Sequence, residues 1–262
     1  MKPRHTTLLI IGDNPEEIFK KYSLETEVEP YLFMRRKDAK KIKARHEKML
    51  KEILDSKNNG LTEYQKEVFQ QVYNELHSMD EFDYYLRETK GCKYDEESGD
   101  AYTTKNPNAH YEYGRCPQKR LDATNEESDF SNPFKLTDGA ISYTAKKGEI
   151  RWDFMHLYNP YVYECAWELV VDKREPVNET ETLIQANMIN RTAYFENFKS
   201  KEEYVAYSSS FWCYGIAKDD EYIGFDNANV TDYEWVTNFY DLYIKDLPDD
   251  TLLTIYEITT LL

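Results

Sequence analysis

The stretch Thr6-Thr7-Leu8-Leu9-Ile10-Ile11-Gly12-Asp13-Asn14-Pro15-Glu16-Glu17 decides the architecture. Its first half is β-branched and apolar, and so reads as a buried strand. Gly12-Asp13 then turns the chain. Asn14 reads as a helix N-cap and Pro15 as the first helical residue. A strand–turn–helix start can hold a phosphate at the helix N-terminus. Here Glu16 and Glu17 already occupy the positive end of the helix dipole and no glycine-rich loop precedes them, so no nucleotide is expected. The stretch from Leu252 to Ile258 reads as a closing strand. It is apolar on both faces at Leu252-Leu253, so it is expected at the centre of a sheet.

The next third of the chain reads as helical. Asp38 to Asn58 carries Ile42, His46, Met49, Leu50, Ile53 and Leu54 on one stripe and lysines on the other face. Gly60 ends it. Thr62 to Met79 opens with a Thr62/Gln65 capping box and turns Val68, Phe69, Val72, Tyr73 and Leu76 inward. The short connection predicts a helical hairpin, with a third short helix over Asp80 to Glu88. Further on, Ile141 to Ala145 and Glu149 to Phe154 alternate around Lys146-Lys147-Gly148 and predict a β-hairpin. Tyr161 to Val171 also alternates and predicts a strand, although a helix fits Ala166 to Leu169. Ser200 with Glu203 predicts a capped helix. Lys218-Asp219-Asp220 predicts a hairpin turn, and Thr231 to Leu247 a last helix. The fold class is therefore α+β: a mixed or antiparallel sheet domain over residues 1–37 and 92–262, with residues 38–91 inserted as a helical hairpin.

Composition narrows the function classes. The chain has 262 residues, a net charge of −16 and 23 tyrosines. Mean hydropathy is −0.80. No stretch reaches the roughly 18 apolar residues of a membrane span, and the start lacks a signal peptide's apolar length. The cytoplasm is the expected compartment. Excess negative charge opposes contact with nucleic acid, which requires clustered Lys and Arg. It suits a basic protein partner, and tyrosine is enriched at protein interfaces. Cys92, Cys116, Cys165 and Cys213 show no zinc spacing and read as thiols, with a Cys92–Cys116 bridge as the alternative.

Residues 92–116 join turn-formers to an aromatic run, His110-Tyr111-Glu112-Tyr113-Gly114-Arg115. Rings gain free energy on leaving water, so this stretch is expected to be a long loop packed as one ordered surface. The candidate site combines Asn106, His110, Tyr113 and Arg115 with Trp152, Asp153 and His156. Histidine moves a proton near neutral pH, arginine grips an anion and asparagine orients it. No nucleophile elbow, Walker loop or H-E-x-x-H motif occurs. No metal, cofactor or catalytic residue is therefore assigned.

Three segments resemble a family of uncharacterised proteins met in bacteriophages and bacterial mobile elements. They are His5 to Glu17 with Glu27-Val28-Glu29-Pro30-Tyr31, the centre Thr104-Lys105-Asn106-Pro107-Asn108-Ala109-His110-Tyr111-Glu112-Tyr113-Gly114-Arg115, and the end Leu247-Pro248-Asp249-Asp250-Thr251-Leu252-Leu253-Thr254. The resemblance implies a phage-like source and brings no activity with it. The expected function is an acidic phage accessory protein that binds and inhibits a host defence or nucleic-acid-handling factor. The alternatives are a small-ligand protein or enzyme using the Asn106–Arg115 loop, and a virion or assembly component.

Overall fold

The computed structural model describes residues 5–55, 62–116, 133–156, 159–189 and 192–260. The elements run β1 (His5–Ile11), α1 (Pro15–Lys21), β2 (Tyr31–Met34), α2 (Ala39–Asp55), α3 (Glu63–Ser78), α4 (Glu81–Glu88), β3 (Lys93–Tyr94), β4 (Ala101–Thr103) and β5 (Tyr111–Arg115). Then come β6 (Phe134–Lys135), β7 (Ile141–Ser142), β8 (Thr144–Lys146), α5 (Pro160–Val170), α6 (Glu179–Met188), α7 (Thr192–Phe195), α8 (Lys201–Ser209), β9 (Gly215–Lys218), β10 (Glu221–Gly224), α9 (Asp232–Thr237), α10 (Phe239–Tyr243) and β11 (Leu252–Thr260). The class is α+β, with one mixed sheet and two small antiparallel ones. The chain forms two compact units, one of residues 1–26 and 107–262, the other of residues 27–106. The inserted unit is thus wider than its helices and includes β2, β3 and β4.

In the larger unit the main sheet runs β10-β9-β1-β11-β5, with β8 also on β11. β1 pairs antiparallel to β11 and parallel to β9. Leu8, Leu9 and Ile10 are fully buried, because β1 alternates between two cores. Leu9 and Ile11 face Leu253, Ile255, Phe211, Trp235 and Phe239. Leu8 and Ile10 face Ile18, Phe19 and Tyr22, with Tyr256 and Ile258 of β11 on the same side. Each such aliphatic side chain contributes about 1.5–3 kcal/mol by leaving water. α1 begins at Pro15 as the sequence predicts, but the Asn14 side chain makes no capping hydrogen bond.

Two predicted strand regions fold otherwise. Tyr161 to Val171 is the helix α5, capped by the Asn159 side chain with Pro160 in its first turn. Cys165, Ala166, Leu169 and Val170 form its buried stripe, at helical spacing. Of the alternating residues only Cys165 and Leu169 fall on that stripe, and Tyr161 and Val171 are exposed. The hairpin around Lys147 does not form. β7 pairs with β6, β8 pairs with β11, and residues 147–149 make a 3-10 turn. The cause is Lys147, whose buried ammonium donates to the carbonyl oxygens of Lys245 (2.8 Å) and Leu247 (2.6 Å). Those bonds satisfy carbonyls near the end of α10 and draw the turn away from a hairpin. The last helix is broken at Asn238 (φ −111°, ψ 13°) into α9 and α10. The Thr62/Gln65 capping box and the Ser200 cap form as the sequence predicts, and a further capping box forms at Thr231/Glu234.

α5, α6 and α8 enclose a core of Leu169, Ile184, Phe195 and Tyr204. An ion network ties it together: Arg174 contacts Glu181 (2.8 Å) and Glu168 (3.0 Å), and Lys201 contacts Glu168 (3.1 Å). Arg174 and the Val177 amide hold Glu181 below its ordinary pKa of 4.5. Lys201 and then Arg174 do the same for Glu168. A depressed carboxylate stabilises the fold above its unfolded pKa and stops doing so as pH falls through the lower folded value. Melting temperature is therefore expected to fall with pH below about 4.5, and less steeply in Glu181→Gln, as thermal melts between about pH 6 and 3 would show. An unchanged acid slope in that variant contradicts the network's contribution.

The inserted unit packs Met34, Ala39, Leu50, Leu76, Tyr84, Tyr85 and Ala101 into its own core. Its sheet order is β2-β4-β3. Asp80 caps α4 by accepting from the Phe82 and Asp83 amides, both at 2.8 Å. The Tyr84 hydroxyl lies 2.8 Å from Nδ1 of His46, so His46 serves this core.

Candidate functional site

A cleft of about 760 Å³ opens on the α1 side of the main sheet. That volume falls within the roughly 300–1,000 Å³ of small-molecule sites. Its apolar wall is Phe19 of α1 stacked on Tyr256 of β11, with ring centroids 4.4 Å apart and 16° between the planes. Thr144 of β8 and Thr254 of β11 are cross-strand partners, which brings their hydroxyls to 3.2 Å. Cys116, just after β5, places its sulfur 4.0 Å from the Thr144 hydroxyl. Glu16, Lys20 and Glu25 also line the cleft, with Lys20 3.9 Å from Glu16.

Burial sets the protonation states. It pushes the Tyr256 phenol up to about 12. It raises the Cys116 thiol too, against a smaller opposing effect of the Thr144 hydrogen bond. A thiolate nucleophile requires the opposite shift. Both groups therefore act as neutral hydrogen-bonding groups at pH 7, and the cleft offers hydrogen bonds beside an apolar wall. Cys116 is expected to react with a disulfide reagent at pH 7.5 more slowly than free cysteine. A faster reaction in a Cys92→Ser background contradicts this. Cys213 is fully buried with its thiol pushed up to about 12. All four cysteines are free, so the alternative Cys92–Cys116 bridge is not formed.

Of the residues singled out in the sequence, His110 and Trp152 lie on opposite faces of the main sheet. Asn106 is buried at the end of the 27–106 unit. His110 stacks on Tyr222 of β10 at 3.9 Å and 8°, near Tyr22, on the α1 side of the sheet. Burial lowers its pKa, which leaves it neutral at pH 7. Trp152 lies on the opposite face, among Phe134, Phe211 and Tyr240, and its indole N–H donates to the Lys147 carbonyl at 3.1 Å. Asp153 is exposed and 3.9 Å from Arg151. His156 is bridged by its backbone to Ser210. Tyr113 and Arg115 lie on β5, where Arg115 pairs with Glu257; their side chains fall outside the description. The sheet thus stands between His110 and Trp152.

Residues 92–116 are shared between the two units. Tyr94 and Tyr102 are 45% and 37% exposed in the inserted unit, whereas Tyr111 is fully buried in the other and donates its hydroxyl to the Phe19 carbonyl. The cleft residues missed by sequence reasoning are Phe19, Thr144, Thr254 and Tyr256. The signal that could have found two of them is the alternation of β11, which puts Thr254 and Tyr256 on one face. Among the described residues no group of three or more His, Cys, Asp or Glu is arranged to hold a metal ion. No helix among them is long and apolar enough to cross a membrane. Comparison with known protein families, curated proteins and solved structures finds no match to this chain.

Proposed function

We propose that the protein acts by binding another protein through its acid-rich unit and catalyses no reaction itself. The observation that carries this reading is how the charge divides. The chain has 33 Lys and Arg against 49 Asp and Glu; residues 27–106 hold 15 and 17 of them, which leaves 18 and 32 in the other unit. A net −14 on one unit steers it toward a basic surface and away from acidic ones. The neutral cleft thiol and phenol, and the separation of His110 from Trp152, support binding over chemistry. The specific form of the proposal is a phage-encoded accessory protein that occupies the basic face of a host defence or nucleic-acid-handling factor. Affinity capture from host lysate, then reconstitution of the purified pair with light scattering, tests it. A stoichiometric complex with one basic protein is expected; no such complex contradicts the reading.

A second reading rests on the cleft alone, as a site for a small planar ligand that lies along the edge of the Phe19–Tyr256 wall and hydrogen-bonds to the Thr144 and Thr254 hydroxyls. Thermal-shift screening of planar ligands, with Thr144→Val as the variant that loses the response, tests it.

A further inference from the structure

The acid-rich chain carries one exposed surface of the opposite sign. From Arg35 to Lys51 the exposed side chains are Arg35, Arg36, Lys37, Lys40, Lys41, Ala44, Arg45, Lys48, Met49 and Lys51. Eight of these ten are basic and none is acidic. The two acids within the stretch, Asp38 and Glu47, are half-buried, and Glu47 is engaged by Lys43 at 2.5 Å.

The arrangement follows from helix geometry. At 100° per residue, Lys40, Lys41, Arg45, Lys48 and Lys51 of α2 fall within one arc of about 140°, which only in the helix's last turn also takes in the exposed acids Glu52 and Asp55. The arc lies opposite Ala39 and Leu50, which enter the unit's core. Lys40 and Lys48 have only loose exposed partners, Glu81 at 3.9 Å and Glu52 at 3.6 Å. Among the described residues no carboxylate lies within ion-pair distance of Lys37, Lys41, Arg45 or Lys51. The face from Lys40 to Lys51 spans about 16 Å of helix axis, or about five phosphates along one strand of a duplex.

We infer that the outer face of α2 is a docking surface for the phosphate backbone of duplex nucleic acid. This goes beyond the protein-binding proposal and does not depend on it. Whole-chain charge argues against such contact, but beyond about 8 Å charges are largely screened at physiological salt, so the helix's own surroundings decide what it attracts. The face carries no aromatic residue, which single-strand binding by base stacking requires. It carries no broad apolar edge, which insertion at a membrane surface requires. What it offers is a row of cations, which suits sequence-independent backbone binding with release of counterions.

Fluorescence anisotropy of a labelled duplex of about 20 base pairs with the full chain is the test. Binding is expected in about 50 mM salt. For about four phosphate contacts the affinity should fall roughly a hundred-fold by about 200 mM salt. Lys41→Glu/Arg45→Glu/Lys48→Glu should abolish binding. The glutamine triple should weaken it at least tenfold and flatten the salt slope, with an unchanged melting curve. Lys199→Glu/Lys218→Glu, on exposed positions of the other unit, should leave it unchanged. Absence of duplex binding at low salt overturns the inference, as does binding that survives the α2 triples. Capture only by acidic lipid vesicles overturns it too, as does salt-sensitive self-association without duplex binding.

Discussion

Trp235→Ala is expected to destabilise the larger unit by about 4–5 kcal/mol. Truncating a buried tryptophan costs about 3–5 kcal/mol in lost burial and cavity. Trp235 is 1% exposed and packs against Phe239 (5.6 Å between ring centroids), Tyr243 (5.0 Å) and Phe225 (6.2 Å). Its indole N–H also donates to the Cys213 carbonyl at 2.9 Å, a buried bond next to β9. Removing that donor orphans a carbonyl, which adds about 1 kcal/mol or more. Urea unfolding measures the loss. A value below about 2 kcal/mol contradicts the placement of Trp235 at the centre of this core. Trp235→Phe should recover most of the packing but not the hydrogen bond, and so should fall between.

The second large effect is expected at Gly114. Its backbone needs no special φ; the space is missing. A Cβ there would stand 2.5 Å from the Glu257 carbonyl oxygen and 2.9 Å from both Ile258 Cγ2 and Phe19 Cζ. The nearest of these is backbone and cannot swing aside. Gly114 pairs with Ile258 across β5 and β11, so the strands must separate to admit even a methyl. Gly114→Ala should therefore cost about 3 kcal/mol, the upper end of ordinary overpacking, and Gly114→Val more. The same unfolding experiment reads it. An alanine variant within about 0.5 kcal/mol of the parent contradicts the close approach of these strands.

Much of the architecture was legible in the sequence, and the reasons are local. β1 showed itself as a short β-branched run, and β11 as a stretch apolar on both faces, which is what strands buried on both sides require. The caps at Thr62 and Ser200 each showed an oxygen-bearing side chain three residues before Glu or Gln; the same signal stood unread at Thr231. α5 was missed because period-two spacing of its large residues ran through an 11-residue helix. Asn159-Pro160 was the stronger signal, since it specifies a helix start. The segment around Lys147 was missed because alternation says that a strand exists and not which strand it joins. Lys147 is committed to carbonyls about a hundred positions later, which no local pattern records.

The candidate site was legible only in part. His110 and Trp152 stand in segments of similar character, but between them the chain passes from one face of the sheet to the other. Sequence spacing carries no label for that crossing. The charge of −16 misled in a comparable way. It is a sum over two units of unlike composition, and it hid a helix whose exposed face is basic from Lys40 to Lys51.

The central claim, that this protein works by charge-matched binding and not by chemistry, is tested most directly by titrating salt against its isolated complex. The dissociation constant is expected to rise at least tenfold between about 50 and about 500 mM salt, because screening shortens the reach of the acidic unit. It should stay within about twofold of the parent in His110→Ala and Cys116→Ser. A complex indifferent to salt, or one lost in either variant, contradicts the claim.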